Sequence, residues 1–146
     1  MQPITPYLNF AGNAQQALDR YAQAFNGEIV AMQRFGELPP QQGKQPLPAD
    51  GVLHATFKAG DLTLMVSDLP PGMNAVSGNQ VSLSLNFDSV AELTQVFHTL
   101  AKGGEATMPP QDTFWGAHFA MLTDAFGIQW MLNHDYPAGE DKNFPV

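Results

Sequence analysis

The chain has 146 residues, of which 44% are hydrophobic and 14% charged, with no cysteine and a formal net charge of −8. This composition belongs to a folded globular protein and excludes a disulfide framework, a thiolate nucleophile and a thiolate metal site. Its six Lys and Arg residues are scattered, which argues against nucleic acid or an anionic membrane surface as a partner. No apolar run approaches ~20 residues and the N-terminus lacks a basic start with an apolar signal core, so a cytoplasmic protein of one domain is the expectation.

Ile4 to Phe10 reads as a short strand bounded by Pro3, Pro6 and Gly12. Asn13 is a good N-cap, with Gln16 as a weak capping-box partner. Ala17, Leu18, Tyr21, Ala22 and Phe25 then recur at helical spacing, and Asn26-Gly27 is a left-handed stop. Glu28 to Phe35 is a second strand. Gly36 to Gly51 is rich in Pro, Gln and Gly and has no periodicity, which predicts a long loop of the kind used as a lid or a dimer contact. Val52 to Phe57 and Leu62 to Val66 are strands around the turn Ala59-Gly60-Asp61. A second Pro/Gly-rich loop, Leu69 to Gly78, follows.

From Val81 to Phe87 the chain alternates, with Val81, Leu83, Leu85 and Phe87 on one face. Ser89-Val90-Ala91-Glu92 is a capping box. Leu93, Val96, Phe97 and Leu100 form the buried stripe of a second helix, which Gly103-Gly104 ends. The chain then passes through Pro109-Pro110. Phe114 to Leu122 and Ile128 to Leu132 are strands around Thr123-Asp124-Ala125-Phe126-Gly127, and the tail from His134 onward is polar and expected to fray.

Tyr7-Leu8-Asn9-Phe10 and Ser84-Leu85-Asn86-Phe87 each lead into a helix that stops at glycine followed by glutamate. The shared order predicts two copies of one strand–helix–strand–strand–strand module. Module one spans about 3–68, the linker 69–78 and module two about 79–135. A halfway alignment sets His54 opposite His118. Two sheets, each backed by a helix, give an α+β architecture.

Several segments carry a resemblance: Pro6-Tyr7-Leu8-Asn9-Phe10-Ala11-Gly12-Asn13, Phe35-Gly36-Glu37-Leu38-Pro39, His54-Ala55, Met65-Val66-Ser67-Asp68 and, above all, Thr113-Phe114-Trp115-Gly116 running on to Leu122-Thr123-Asp124-Ala125-Phe126-Gly127 and Gln129-Trp130-Met131. On these the chain resembles the vicinal-oxygen-chelate superfamily of glyoxalase I, bleomycin-resistance proteins and extradiol dioxygenases. The match is nearer to its PhnB-like branch, whose older label is 3-demethylubiquinone 3-methyltransferase. The resemblance implies curled mixed sheets around a cleft, a homodimer, and metal ligands on the first and fourth strands of each module. The positions implied are Thr5, Met65, Ser82 and Met131, none of which is a usual ligand for Zn, Ni, Fe or Mn. No standard metal centre is therefore predicted. A divalent metal held by atypical ligands, His54 and His118, is the alternative. The methyltransferase label finds no Gly-rich nucleotide-binding turn in the residues.

His54 reads either as a cleft-facing acid, base or hydrogen-bond donor or as a core histidine, and period two places it with Val52 and Thr56. His118 shares a face with Phe114 and Gly116, and Trp115 takes the other with Ala117 and Phe119. Which face meets the cleft is open. Trp115, Trp130, Phe35 and Phe114 read as pocket or as core, as do Met65 and Met131. Glu37 is the one carboxylate expected to reach the site mouth. Three functions stay open: a binder of a small apolar or planar molecule with no assigned reaction, a metal-dependent lyase, isomerase or dioxygenase, and a sequestering protein of the bleomycin-resistance type.

Overall fold

A computed structural model of the chain describes residues 1–40 and 46–138. The chain folds as two compact units, Met1–Val76 and Ser77–Val146. In the first, β1 (Tyr7–Phe10), α1 (Ala14–Phe25), β2 (Glu28–Arg34), β3 (Val52–Ala59) and β4 (Leu62–Asp68) build a sheet in the order β1-β4-β3-β2. In the second, β5 (Leu83–Asn86), α2 (Val90–Ala101), β6 (Glu105–Asp112), β7 (Ala117–Thr123) and β8 (Gln129–Asp135) build one in the order β5-β8-β7-β6. In both sheets the first strand runs parallel to the fourth and the remaining pairs are antiparallel. These are the two βαβββ modules of an α+β fold. No helix among the described residues is long and apolar enough to cross a membrane.

Each helix has 12 residues, too few to be stable alone in water, so it is held by the face it buries. α1 buries Ala14, Ala17, Leu18, Tyr21 and Ala24 against the side of its sheet that carries Ala55, Phe57, Leu64 and Val66. α2 buries Leu93, Val96, Phe97 and Leu100 against Ala120, Leu122, Trp130 and Leu132. A fully buried Leu or Phe contributes about 1.5–3 kcal/mol, so these stripes outweigh the modest intrinsic helix propensity of either segment. The opposite face of each sheet carries no helix of its own unit and is called the open face below.

The two glycines that follow the helices, Gly27 and Gly104, act through space and not through φ. Asn26, not Gly27, takes the left-handed conformation, at φ 52°. A Cβ on Gly27 would lie 2.6 Å from the carbonyl oxygen of Lys58, and one on Gly104 would lie 2.2 Å from that of Thr123. Lys58 pairs with Glu28 and Thr123 with Glu105, the residues that follow the two glycines. The duplicated Gly-Glu is therefore the point where the chain leaving each helix passes tightly over the third strand.

Three local expectations change. Asn13 precedes α1 but its side chain makes no capping bond. The Asp68 carboxylate reaches from the end of β4 instead, accepting at Oδ1 from the backbone N–H of Gly12 (3.1 Å) and Ala14 (2.9 Å) and at Oδ2 from that of Val52 (2.9 Å). Pro109 and Pro110 lie inside β6. They are tolerated because β6 is an edge strand, where a missing N–H leaves no partner unpaired, and the register shifts on either side of Met108 absorb their geometry. The tail does not fray at His134: β8 runs on to Asp135, and His134 Nδ1 lies 2.7 Å from the Phe87 carbonyl oxygen. In α2, by contrast, Ser89 Oγ accepts from the Glu92 N–H at 3.1 Å, as its capping box predicts.

Candidate functional site

The open face of the first unit is set by the register of β1, β3 and β4. Tyr7 lies beside Met65, and Thr56 lies across from Met65 on the other side. Alternation places His54 with Thr56. The Tyr7 hydroxyl is 3.1 Å from His54 Nδ1 and the Thr56 hydroxyl 3.4 Å from Nε2. Both ring nitrogens thus have a hydroxyl partner. Either neutral tautomer satisfies both, because each hydroxyl can donate to a bare ring nitrogen or accept from an N–H. One step along the strands, Ser67 Oγ donates to Asn9 Oδ1 at 3.2 Å. This face is polar around a half-buried thioether. Val52 leaves the expected grouping: it is fully buried at the start of β3, where the pairing with β2 slips between Gln33 and Arg34.

The open face of the second unit is apolar where the first carries His54 and Thr56, while Ser84 and the hydrogen-bonded pair Asn86–Asn133 keep it polar along β5. Met131 lies between Ser84 of β5 and Met121 of β7, and Phe119 lies one pair along, across from Asn133. Trp115 packs edge-on to Phe119, with ring centroids 6.0 Å apart, and Phe114 packs edge-on to Trp115 at 5.1 Å. Phe114 and Trp115 are 81% and 57% exposed, whereas Trp130 is 1% exposed. Trp130 is core, and its indole N–H donates to Asp124 Oδ2 at 2.9 Å.

The registers correct the expected equivalence of the two histidines. Thr56 opposite Met65 corresponds to Met121 opposite Met131, so His54 matches Phe119 and not His118. The halfway alignment is off by one residue, and in a strand one residue moves a side chain to the other face. His118 lies with Ala120 and Leu122 on the helix-bearing side, across from His134. There its Nδ1–H donates to Asp112 Oδ1 at 2.7 Å, and the Tyr136 hydroxyl donates to the same oxygen at 2.6 Å. These two donors hold the Asp112 carboxyl below its ordinary range. In return the Asp112 carboxylate and burial push the Tyr136 hydroxyl up to about 12. His134 and Tyr136, the latter also edge-on to His134 at 5.4 Å, were not singled out by sequence. The alternation Trp130, Leu132, His134 was the available signal.

Phe35 and Glu37 sit elsewhere in the first unit. Phe35 is buried in a one-turn 3-10 segment, Phe35–Glu37, and its N–H donates to the Gly51 carbonyl at 2.9 Å. It lines a cavity of about 780 Å³ at the N-terminal end of α1. Glu37 folds back on its own turn, accepting from the Arg34 N–H at 2.5 Å. It does not reach the open face.

The donor set does not fit a vicinal-oxygen-chelate metal. Thr5 and Ser82 precede β1 and β5, and the residues registered beside the two methionines are Tyr7 and Ser84. Hydroxyls and thioethers replace the imidazoles and carboxylates that Zn, Ni, Mn or Fe(II) prefer. Among the described residues no group of three or more His, Asp or Glu side chains is placed to hold a metal ion.

Residues 2–133 match the family model described as 3-demethylubiquinone-9 3-methyltransferase. Protein YjdN of Escherichia coli K12 is 34% identical over 141 residues, covering 90% of this chain and 94% of that protein. The crystal structure of PA1353 from Pseudomonas aeruginosa is 39% identical with a TM-score of 0.80, covering 92% of this chain and 98% of that one. The PhnB protein of Bacillus cereus is 30% identical with a TM-score of 0.77, covering 91% and 99%. A glyoxylase/bleomycin resistance protein/dioxygenase domain from Frankia, at 13% identity and a TM-score of 0.67 over 97% of this chain and 98% of that one, shares the fold.

Proposed function

The chain belongs to the PhnB-like 3-demethylubiquinone-9 3-methyltransferase family, and from its open faces we propose that it binds a small apolar or planar molecule without the metal centre of the wider superfamily. The observation that carries this reading is the second unit's open face, where Met121, Met131 and Phe119 continue into the exposed rings of Trp115 and Phe114. Thioethers and aromatic rings offer polarizable, adaptable contact to a flat ligand. They offer a hard cation nothing. In the first unit, His54 with its Tyr7 and Thr56 partners supplies a hydrogen-bonding imidazole beside the Met65 thioether.

The methyltransferase in the family's name finds no support in these residues, which include no nucleotide-binding glycine turn. A homodimer and a cytoplasmic location belong to the same proposal, and sedimentation equilibrium tests the first. A second reading, sequestration of a planar cation, is favoured by the exposed rings of Phe114 and Trp115 together with the net charge of −8, since a ring face attracts a cation.

Trp115 is one of two tryptophans and Trp130 is buried, so quenching of the exposed indole reports on this surface. Titration with menadione (planar and neutral) and with ethidium (planar and cationic) should quench saturably, and Trp115→Phe should abolish the change. Quenching that survives in Trp115→Phe, or none at concentrations far above micromolar, counts against the reading.

A further inference from the structure

The two Pro-rich loops, the first expected as a lid or dimer contact and the second as the linker, supply none of the side chains described on the open faces. Their described residues come together within the first unit, around the cavity of about 780 Å³ at the start of α1. That volume lies inside the range of small-molecule pockets. Phe35, Leu69, Pro70 and Met73 give it apolar walls, and Arg34 lies among them.

Arg34 decides what the cavity takes. Its Nη2–H donates to Gln15 Oε1 at 2.6 Å and its Nη1–H to the Asp50 carbonyl oxygen at 2.8 Å. Among the described residues no carboxylate lies within ion-pair distance of the guanidinium; His118–Asp112 is the one ion pair found there. A guanidinium has five N–H donors in a planar fork, so two bonds to neutral oxygens leave donors and a full charge unspent. Of the carboxylates nearby, Glu37 accepts from the Arg34 backbone N–H and not from its guanidinium. Asp68 is taken up by three backbone N–H groups. Asp19 accepts from the Gln15 amide at 2.9 Å on the exposed side of α1, and Asp50 is exposed. Asp19 and Asp50 still border the cavity and repel any anion, so a single negative charge seated on the Arg34 fork is the most the site favours.

We propose that this cavity is a binding site for a monoanion on an apolar body, such as an aryl sulfonate or aryl carboxylate, whose head group takes the Arg34 fork while its body lies against Phe35, Leu69, Pro70 and Met73. The site is separate from the open-face reading and does not depend on it.

The probe is 8-anilinonaphthalene-1-sulfonate, with neutral N-phenyl-1-naphthylamine as its uncharged counterpart. Fluorescence titration of the full chain is read beside methyl-¹³C methionine NMR, in which Met73 reports on this cavity and Met121 and Met131 on the open face. The sulfonate is expected to shift Met73 saturably as it fills this cavity, and any shift at Met121 or Met131 reports separately on the open face. Arg34→Gln should weaken it by about tenfold or more, the range for a lost charge-assisted bond. Arg34→Lys should fall between, and the neutral probe should bind more weakly than the sulfonate to the wild type alone. Should Arg34→Gln not fold, Met73→Glu tests the same point at an exposed position (55% exposed) by adding a repelling charge. Unchanged affinity in either variant, an equally strong titration of Met73 by the neutral probe, or shifts at Met121 and Met131 without Met73 overturns the proposal. None of these results bears on the quenching of Trp115.

Discussion

Asp68 and His134 hold the same register position in the two repeats, one step beyond the pairs Asn9–Ser67 and Asn86–Asn133. The scaffold is duplicated there and the chemistry is not. Asp68 caps a helix from the end of a strand, whereas His134 donates to the carbonyl of the strand beside it and leaves α2 to be capped by Ser89.

This difference sets an order of stability. Asp68→Ala strips a partner from three backbone N–H groups, of which those of Ala14 and Val52 are buried. Urea unfolding should show a loss of about 3 kcal/mol, or a fall in Tm of about 6–12 °C. Ser89→Ala removes one exposed cap bond and should cost about 1 kcal/mol. If Asp68→Ala proves no more harmful than Ser89→Ala, the carboxylate is not the cap of α1.

The paired glycines predict matched effects in the two modules. Gly27→Ala and Gly104→Ala each force a methyl group into a backbone carbonyl and should each cost about 1–3 kcal/mol through overpacking. Gly78→Ala meets open space and should be near neutral. Comparable thermal melts for all three would remove the steric account of the duplicated Gly-Glu.

The Asp112–Tyr136 contact predicts a pH signature. The fold favours protonated Tyr136, raised to about 12. Its contribution to stability is therefore complete below an unfolded value near 10 and is lost as pH rises toward about 12. Asp112 is lowered from 3.8, so its contribution is present above that unfolded value and is lost as pH falls through the lower folded one. Tyr136, followed by its own ring NMR signals, should ionise late, and Asp112→Asn should bring it back toward about 10. A wild-type titration already indistinguishable from that of Asp112→Asn would refute the contact.

The donor set at the open faces predicts that protein purified without an affinity tag, exposed to Ni, Zn, Mn or Fe and then dialysed, retains no stoichiometric metal. Elemental analysis reads this directly. One metal per chain, lost in His54→Ala, would reinstate the superfamily's chelate in altered form.

Much of the fold was legible in sequence because period and punctuation agreed. The Leu-Asn-Phe repeat, the helical stripes, the Ser89 capping box and the glycine stops are all local signals. What sequence missed was non-local or off by one. Asp68 caps α1 across 54 positions of chain, which no local motif records. No strand bounds were read through Pro109-Pro110, because only the sheet order shows that β6 lies at an edge and tolerates them. His118 seemed the partner of His54 because halving a chain does not fix register to one residue, and one residue decides the face. Phe114, Trp115 and Trp130 read alike as pocket or core, and exposure separates the first two from the buried Trp130.

The central claim is that the second unit's open face binds a planar apolar ligand. It is tested most directly by methyl-¹³C methionine NMR during a menadione titration. The account predicts saturable shifts at Met121 and Met131, reduced in Trp115→Ala, with Met73 and Met108 unmoved. Saturation that leaves Met121 and Met131 in place, or shifts confined to Met73, would contradict it.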